Sequence, residues 1–266
     1  MAAPVQDTIA DRVEREREWH DKRFGGNDAS RGRVAAFTGS LTLEALRRVY
    51  AAAKPLCLGK NVLDYGCSFG EASLLFRSYG AATVEGIDIS PVAVQGATEA
   101  AAKAGVTGVN FQAMNAEVLE FPDASFELVF GVAILHHLDL DRACAEIARV
   151  LKPSGAAVFL EPLGHNPVIN YVRRATPNER TEDEHPLLRR DFAVLDRHFG
   201  VVDKNFVNLL TLLTAPLVGI PGRESLRRGL NVADRVLLRA VPAVGTYAWN
   251  VVLTMKNPRP RVASTV

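Results

Sequence analysis

The segment Asn61-Val62-Leu63-Asp64-Tyr65-Gly66-Cys67-Ser68-Phe69-Gly70-Glu71 constrains this chain most. It is a short apolar run, an acid, two glycines four positions apart, and then an alanine- and leucine-bearing stretch from Ala72 to Arg77. That order spells a buried strand, a tight turn and the start of a helix. Such a turn presents backbone N–H groups at a helix N-terminus, where the partial positive charge favours a polar or anionic ligand. Gly66 and Gly70 carry no Cβ, so the backbone can approach that ligand closely. Many strand–glycine–helix turns bind nothing, and the segments that follow decide the matter.

Those segments alternate strand and helix. Thr83 to Ile89 reads as a second strand ending in Asp88, about 20 residues beyond the glycine turn, where nucleotide-binding doubly wound sheets place an acid for ribose hydroxyls. Ser90-Pro91 is an N-cap and first-position pair opening a helix to about Ala104. Val109 to Gln112 is a third strand, Phe126 to Val132 a fourth, Asp141 to Leu151 a helix, and Ala156 to Leu160 a fifth strand after the turn Lys152-Pro153-Ser154-Gly155. This alternation implies right-handed crossovers and a mainly parallel sheet with helices on both faces. Asp64, Asp88, His136, His137 and Glu161 then share the carboxyl edge, where such sheets bind ligands.

The flanks are less regular. Asp7 to Lys22 is dense in charge, and its plain reading is a solvated helix held by i,i+4 ion pairs. Trp19-His20-Asp21-Lys22-Arg23-Phe24 nevertheless concentrates ligand-capable groups that could close over a site or reach a neighbouring subunit. Leu41 to Ala53 reads as a helix with Leu43, Leu46, Val49 and Tyr50 on one face, stopped by Pro55. Val201 to Leu210 and Trp249 to Met255 read as two last strands. Between them lies a basic amphipathic helix with Leu226, Leu230, Ala233, Val236 and Leu237 at helical spacing. Such a helix can lie on an anionic membrane. It can also cap a greasy substrate, with Leu209 to Leu217 lining a pocket beneath it; the cap is the preferred reading.

With 266 residues, 48% of them hydrophobic, the chain can build one large domain or one domain plus a cap. A net charge of +1 and the lack of a basic, aromatic-bearing stripe argue against nucleic acid as a partner. The cysteines Cys57, Cys67 and Cys144 have no paired spacing, so a cytoplasmic, reducing setting is expected and no metal site. No basic segment followed by an apolar one opens the sequence, so no signal peptide is expected.

The chain resembles the class I S-adenosylmethionine-dependent methyltransferases, in the branch that includes the ubiquinone, menaquinone and sterol-type small-molecule enzymes. The resemblance rests on five motifs in order: Val62 to Gly70, Gly86-Ile87-Asp88-Ile89-Ser90, Phe121 to Val129, Leu135-His136-His137-Leu138, and Leu151-Lys152-Pro153-Ser154-Gly155. A nicotinamide enzyme would share the glycine turn and the acid. The last two strand-associated motifs favour the methyltransferase. The family often has glycine where this chain has Ser68, and a serine fits there if its φ is ordinary.

The resemblance implies a Rossmann-like α/β fold: a seven-stranded, mostly parallel sheet, helices on both faces, an antiparallel last strand, N-terminal helices and a helical cap insertion. It divides the chain into an N-terminal helical lid (1–54), a core (55–161, 188–210 and 247–256), substrate-side insertions (162–187 and 211–246) and a tail (257–266). It implies S-adenosyl-L-methionine as cofactor, held by Asp64, Tyr65, Gly66, Cys67, Gly70, Asp88, Ile89, Asn115, Ala116, Glu117 and Val132. The acceptor would be a small, largely apolar molecule methylated on oxygen or carbon. A membrane-surface lipid methyltransferase and a catalytically silent cofactor-binding subunit are the alternatives, and homo-oligomerisation stays open. Where the acceptor must lose a proton, His136, His137, Glu161 and His165 are the candidates. Each has a plainer reading: the histidines can orient the loop after the fourth strand, and Glu161 can fix the turn before Pro162. His165, Asn166, Arg173, Arg174 and His185 could bind an anionic acceptor group or pair internally with Glu182, Asp183 and Glu184, and internal pairing is preferred.

Overall fold

The computed structural model describes residues 8–25, 31–176, 181 and 183–259. Seven strands form one sheet: β1 (Asn61–Tyr65), β2 (Thr83–Asp88), β3 (Val109–Ala113), β4 (Phe126–Val132), β5 (Leu151–Pro162), β6 (Phe199–Val207) and β7 (Asn250–Pro258). Their spatial order is β3-β2-β1-β4-β5-β7-β6. The first five are parallel, and β7 runs antiparallel to both β5 and β6. The chain reverses direction across the sheet between β1 and β4, and the crevice at such a switch point is where open parallel sheets take ligands.

Alternation along each strand sends side chains to two cores. Leu63 and Tyr65 of β1, Val129 of β4 and Phe159 of β5 pack with Ala143, Cys144 and Ile147 of α5 (Leu140–Val150). On the other face, Val62, Leu128, Phe130 and Val158 pack with Phe76 of α3 (Glu71–Ser78) and with α2 (Arg31–Cys57). The buried stripe of α2 is Leu41, Ala45, Val49 and Ala53, a strict i,i+4 row. Leu43, expected on that face, is 55% exposed. Pro55 does not stop the helix, which runs two residues further to Cys57. A proline near the last turn removes one backbone hydrogen bond without forcing the chain out of the helix.

One other boundary departs from expectation. The Lys-Pro-Ser-Gly stretch is not a separate turn: β5 begins at Leu151 and absorbs it, and the register against β4 shifts between Phe126 and Leu128. Pro153 lacks a donor, and an irregular pairing is where a strand tolerates that. The remaining helices are α1 (Ile9–Gly25), α4 (Pro91–Ala104), α6 (Pro167–Ala175), α7 (Phe192–His198) and α8 (Arg223–Ala240). Ser90 caps α4 as expected, its hydroxyl accepting from the Ala93 N–H.

The insertion between β6 and β7 does not close as a cap over a pocket. In α8 the buried side chain is Asp234, while Leu226, Val232 and Val236 are about half or more exposed. Asp234 accepts hydrogen bonds from the N–H groups of Leu209, Leu210 and Thr211 and from the Thr211 hydroxyl, at 2.6 to 3.2 Å. Asp234 thus ties the helix to the segment after β6, and Asn231 ties it to Glu44 and Arg48 of α2; of the stretch expected to line a pocket, Leu212 and Ala215 instead pack with Leu41 and Ile169. Asp234→Ala leaves three buried or part-buried N–H groups without their acceptor. It is expected to lower stability by about 2–3 kcal/mol, read by urea denaturation. Among the described residues, no helix is long and apolar enough to cross a membrane. Residues 260–266 of the expected tail lie outside the described residues.

Candidate functional site

A cavity of about 180 Å3 opens at the carboxyl ends of β1, β2 and β4, and α1 forms its outer wall. The glycine turn supplies one side. Gly66 has φ +81°, and the N–H groups of Gly66 and Cys67 both donate to the Ile87 carbonyl, tying the turn to β2. Gly70 has φ +80° and starts α3; a Cβ there would lie 2.8 Å from the Phe111 ring.

Ser68 corrects an expectation. Its φ is +48°, in the left-handed region rather than the ordinary one. The Ser68 N–H donates to Asp88 Oδ2 at 2.9 Å, and this bond holds the turn in place despite the backbone cost. That cost is about 1–2 kcal/mol for a non-glycine residue. Ser68→Gly relieves it while adding freedom to the unfolded chain, so stability is expected to change by less than about 1 kcal/mol in urea denaturation. Ser68→Val, β-branched at positive φ, is expected to cost about 1–2 kcal/mol.

Asp88 stands at the end of β2 on the cavity wall. Its two oxygens accept from the N–H groups of Ser68 and Ser90. Burial pushes its pKa up, and those backbone donors oppose the shift. Further round the wall, Asn115 Oδ1 accepts from the Glu117 N–H at 2.9 Å, and Glu117 Oε1 accepts from the Asp139 N–H at 2.7 Å. Glu117 Oε2 is buried with no hydrogen-bond partner. A buried, unsatisfied carboxylate oxygen costs free energy unless a ligand donor meets it.

Of the expected cofactor residues, Gly66, Asp88, Ile89, Asn115, Ala116, Glu117 and Val132 line the cavity. Asp64, Tyr65, Cys67 and Gly70 lie behind that wall. The Tyr65 hydroxyl donates to the Ala116 carbonyl at 2.5 Å, bracing the wall from inside. Asp64 accepts from the Ser73 hydroxyl at 2.6 Å, and burial pushes its pKa up to about 7. Burial likewise pushes the Cys67 thiol far up, so it is no nucleophile.

Of the four acid–base candidates, His137 lines the cavity. His136 Nδ1 lies 2.7 Å from Glu161 Oε2, and Glu161 Oε1 accepts from the N–H groups of Ile134 and Leu135. Glu161 is fully buried, and the pair pins the turn after β4. His165 is set off the cavity, its Nε2 accepting from the Arg189 N–H at 2.9 Å. The two described acids of this segment reach partners beyond it. Asp183 bonds Arg15 of α1, Glu184 Oε1 comes within 3.8 Å of His136, and Asn166 caps α6; Glu182 lies outside the described residues.

Sequence reasoning missed Arg12, Val13 and Glu16 of α1, while it placed His20 in a segment able to close over a site. Arg12, Val13, Glu16 and His20 lie on one helical face and wall the cavity. Arg12 bridges Glu117 Oε1 at 2.5 Å and the His137 carbonyl at 3.0 Å. Asp21 accepts from the Ser90 hydroxyl, linking α1 to the start of α4. Glu16 is buried, 3.3 Å from His137 Nδ1 and 3.6 Å from His20 Nε2. Burial lowers the His20 pKa to about 4, helped by His137 nearby. Burial opposes the charged forms of His137 and Glu16 too, but their mutual contact outweighs it, raising the histidine and lowering the acid. The plain reading of α1 as a solvated helix therefore fails for this face. Arg12, Glu16 and His20 recur at intervals of four, the signal that could have been read.

Residues 63–159 match the methyltransferase domain family. Over that segment the chain carries a methyltransferase domain. Within it, the chain is 39% identical over 103 residues to 27-O-demethylrifamycin SV methyltransferase of Amycolatopsis mediterranei, covering 38% of each chain. It is 42% identical over 106 residues to 2-methyl-6-phytyl-1,4-hydroquinone methyltransferase of Synechocystis, covering 39% of this chain and 32% of that protein. The matches thus span about two-fifths or less of the length of these curated relatives. The fold is shared with geranyl diphosphate C-methyltransferase of Streptomyces coelicolor, solved with Mg2+, geranyl diphosphate and S-adenosyl-L-homocysteine. There the TM-score is 0.63 at 13% identity, over 96% of this chain and 100% of that one. The methyltransferase domain ends at the strand that carries Glu161, so α1 and the insertions lie outside the matched segment.

Proposed function

We propose that this chain transfers a methyl group from S-adenosyl-L-methionine to an oxygen or carbon of a small, largely apolar acceptor. The observation that carries the reading is the cavity at the β1/β4 switch point, where Gly66 leaves backbone room and Asp88 and Glu117 present carboxylates. The residues present fit the cofactor. Asp88 retains lone pairs for the ribose hydroxyls beyond its two backbone bonds. The unpaired Glu117 Oε2 offers an acceptor at the adenine edge, Ile89 packs on the base, and Val132 borders the sulfonium end. When bound, the cofactor supplies an electrophilic methyl group. The chain then contributes position, by holding the acceptor close and in line while excluding water.

His137 is the candidate base that faces the acceptor, and the His136–Glu161 pair fixes the turn presenting it. The α1 helix serves as the lid. Ligand pockets usually hold about 300–1,000 Å3, so a cavity of about 180 Å3 requires α1 to swing back for entry. The described cysteines are free thiols, in keeping with a cytoplasmic setting.

Calorimetry with S-adenosyl-L-homocysteine tests the first half of the reading, and its failure to bind would sink it. Mass spectrometry of phenols, quinols and prenylated acceptors incubated with enzyme and S-adenosyl-L-methionine tests the second. A gain of one methyl mass on an acceptor is the expected result.

A further inference from the structure

At the mouth of the cavity, Glu16, His20 and His137 bring three ligand-type atoms together from two elements far apart in sequence. All three lie within 4.8 Å of one another. The separations from Glu16 Oε2 are 3.3 Å to His137 Nδ1 and 3.6 Å to His20 Nε2. Neither is a good hydrogen bond, whose N···O distance is about 2.7–3.2 Å. Both are close to the edges of a tetrahedron drawn around a zinc ion, about 3.3–3.5 Å when the metal–ligand bonds are about 2.0–2.1 Å. The Glu16 carboxylate is buried with neither oxygen in a well-formed hydrogen bond, and the Thr181 hydroxyl lies against both it and His137 Nδ1, the latter at 3.5 Å. Its position on α1, four residues before His20, puts both side chains on one helical turn.

We propose that Glu16, His20 and His137 form a binding site for a divalent transition-metal cation, zinc(II) in class, with its fourth position open to the cavity. Two imidazoles and one carboxylate suit zinc(II) and its first-row neighbours better than magnesium or calcium, which prefer all-oxygen sets. Three protein ligands with one open position is the arrangement of catalytic rather than structural zinc. The open position takes water or an oxygen atom of the acceptor, and with the metal in place His137 is a ligand, so the cation rather than the imidazole would acidify an acceptor hydroxyl. The site stands on geometry alone, and only its role toward the acceptor rests on the methyltransferase reading. The sequence hides it because the spacing between Glu16–His20 and His137 matches no compact ligand motif.

The experiment is a titration of chelator-stripped, full-length protein with cobalt(II), followed by competition with zinc(II). One equivalent of cobalt with strong visible bands of tetrahedral geometry, displaced by zinc, is the expected result. Glu16→Gln, nearly unchanged in shape, and His20→Ala should each weaken cobalt binding by at least the ~10–100-fold that outer-shell partners of a metal cost. His198→Ala, a histidine remote from the cavity, should leave it unchanged. Circular dichroism melting of each variant identifies any that fail to fold, and Glu16→Gln then carries the comparison. Only weak octahedral bands, or cobalt affinity untouched by both substitutions, would overturn the site. Calorimetry with S-adenosyl-L-homocysteine on the same metal-free protein separates the two readings. Cofactor binding without cobalt uptake removes the metal site alone, and cobalt uptake without cofactor binding removes the methyltransferase reading alone.

Discussion

Asp88→Ala is expected to raise the Kd for S-adenosyl-L-homocysteine by about 100- to 10,000-fold. The proposed ribose contacts are two hydrogen bonds to a charged acceptor, each worth about 1.5–3 kcal/mol. The same carboxylate also receives the Ser68 and Ser90 N–H groups, so alanine loosens the turn and the α4 cap together. Asp88→Asn separates these effects. The amide oxygen can still accept from one of the two backbone N–H groups, while the NH2 faces the other and can no longer accept from a ribose hydroxyl. The asparagine variant should therefore lose less stability than alanine while losing most of the affinity. Calorimetry and urea denaturation run side by side give the check. Unchanged affinity in both variants would remove Asp88 from the cofactor site.

The sequence made the centre of this molecule legible and the inner face of α1 much less so, for a physical reason. Strands buried on both faces and helices with a regular apolar period announce themselves, so β1 to β4 with α4 and α5 fell close to their expected bounds. Gly66 and Asp88 follow from the same regularity, because a parallel sheet delivers its strand ends to one edge, whereas Glu117 is implied by the family resemblance alone. The α1 helix has no such signal. Its inner face is built from Arg12, Glu16 and His20, polar groups that look solvated until the partners Glu117 and His137 are known to lie opposite. Likewise Asp234 is a charge inside an amphipathic helix, and only the loop carrying Leu209 to Thr211 reveals why it is the buried residue of α8. Apolar burial can be read locally. Polar burial depends on a partner that can lie more than a hundred residues away, as Arg12 and Glu117 do.

A second large effect is expected at Asp64, the acid within β1. It is buried beneath the glycine turn with the Ser73 hydroxyl as partner, and burial raises its pKa to about 7. Because the folded pKa lies above the unfolded value of about 3.9, the folded state binds more protons than the unfolded chain in between. Stability therefore falls as pH rises from about 4 to about 7 and is level beyond. A shift of about three units corresponds to about 4 kcal/mol. Acids held low by cationic partners, Glu44 beside Arg48 and Asp141 beside Arg197, push the opposite way, so the wild-type curve alone does not isolate the effect. Asp64→Asn does, since it mimics the protonated acid and leaves those pairs in place. The two proteins should be similar in stability near pH 4. The variant should gain on the wild type through neutrality, by up to about 4 kcal/mol at pH 8, less the cost of burying an amide N–H. Urea denaturation at intervals across that range provides the test, and parallel curves would show that Asp64 is ionised in the folded protein throughout. The carboxyl would then owe its place to a charge partner in the bound state rather than to its bond with Ser73.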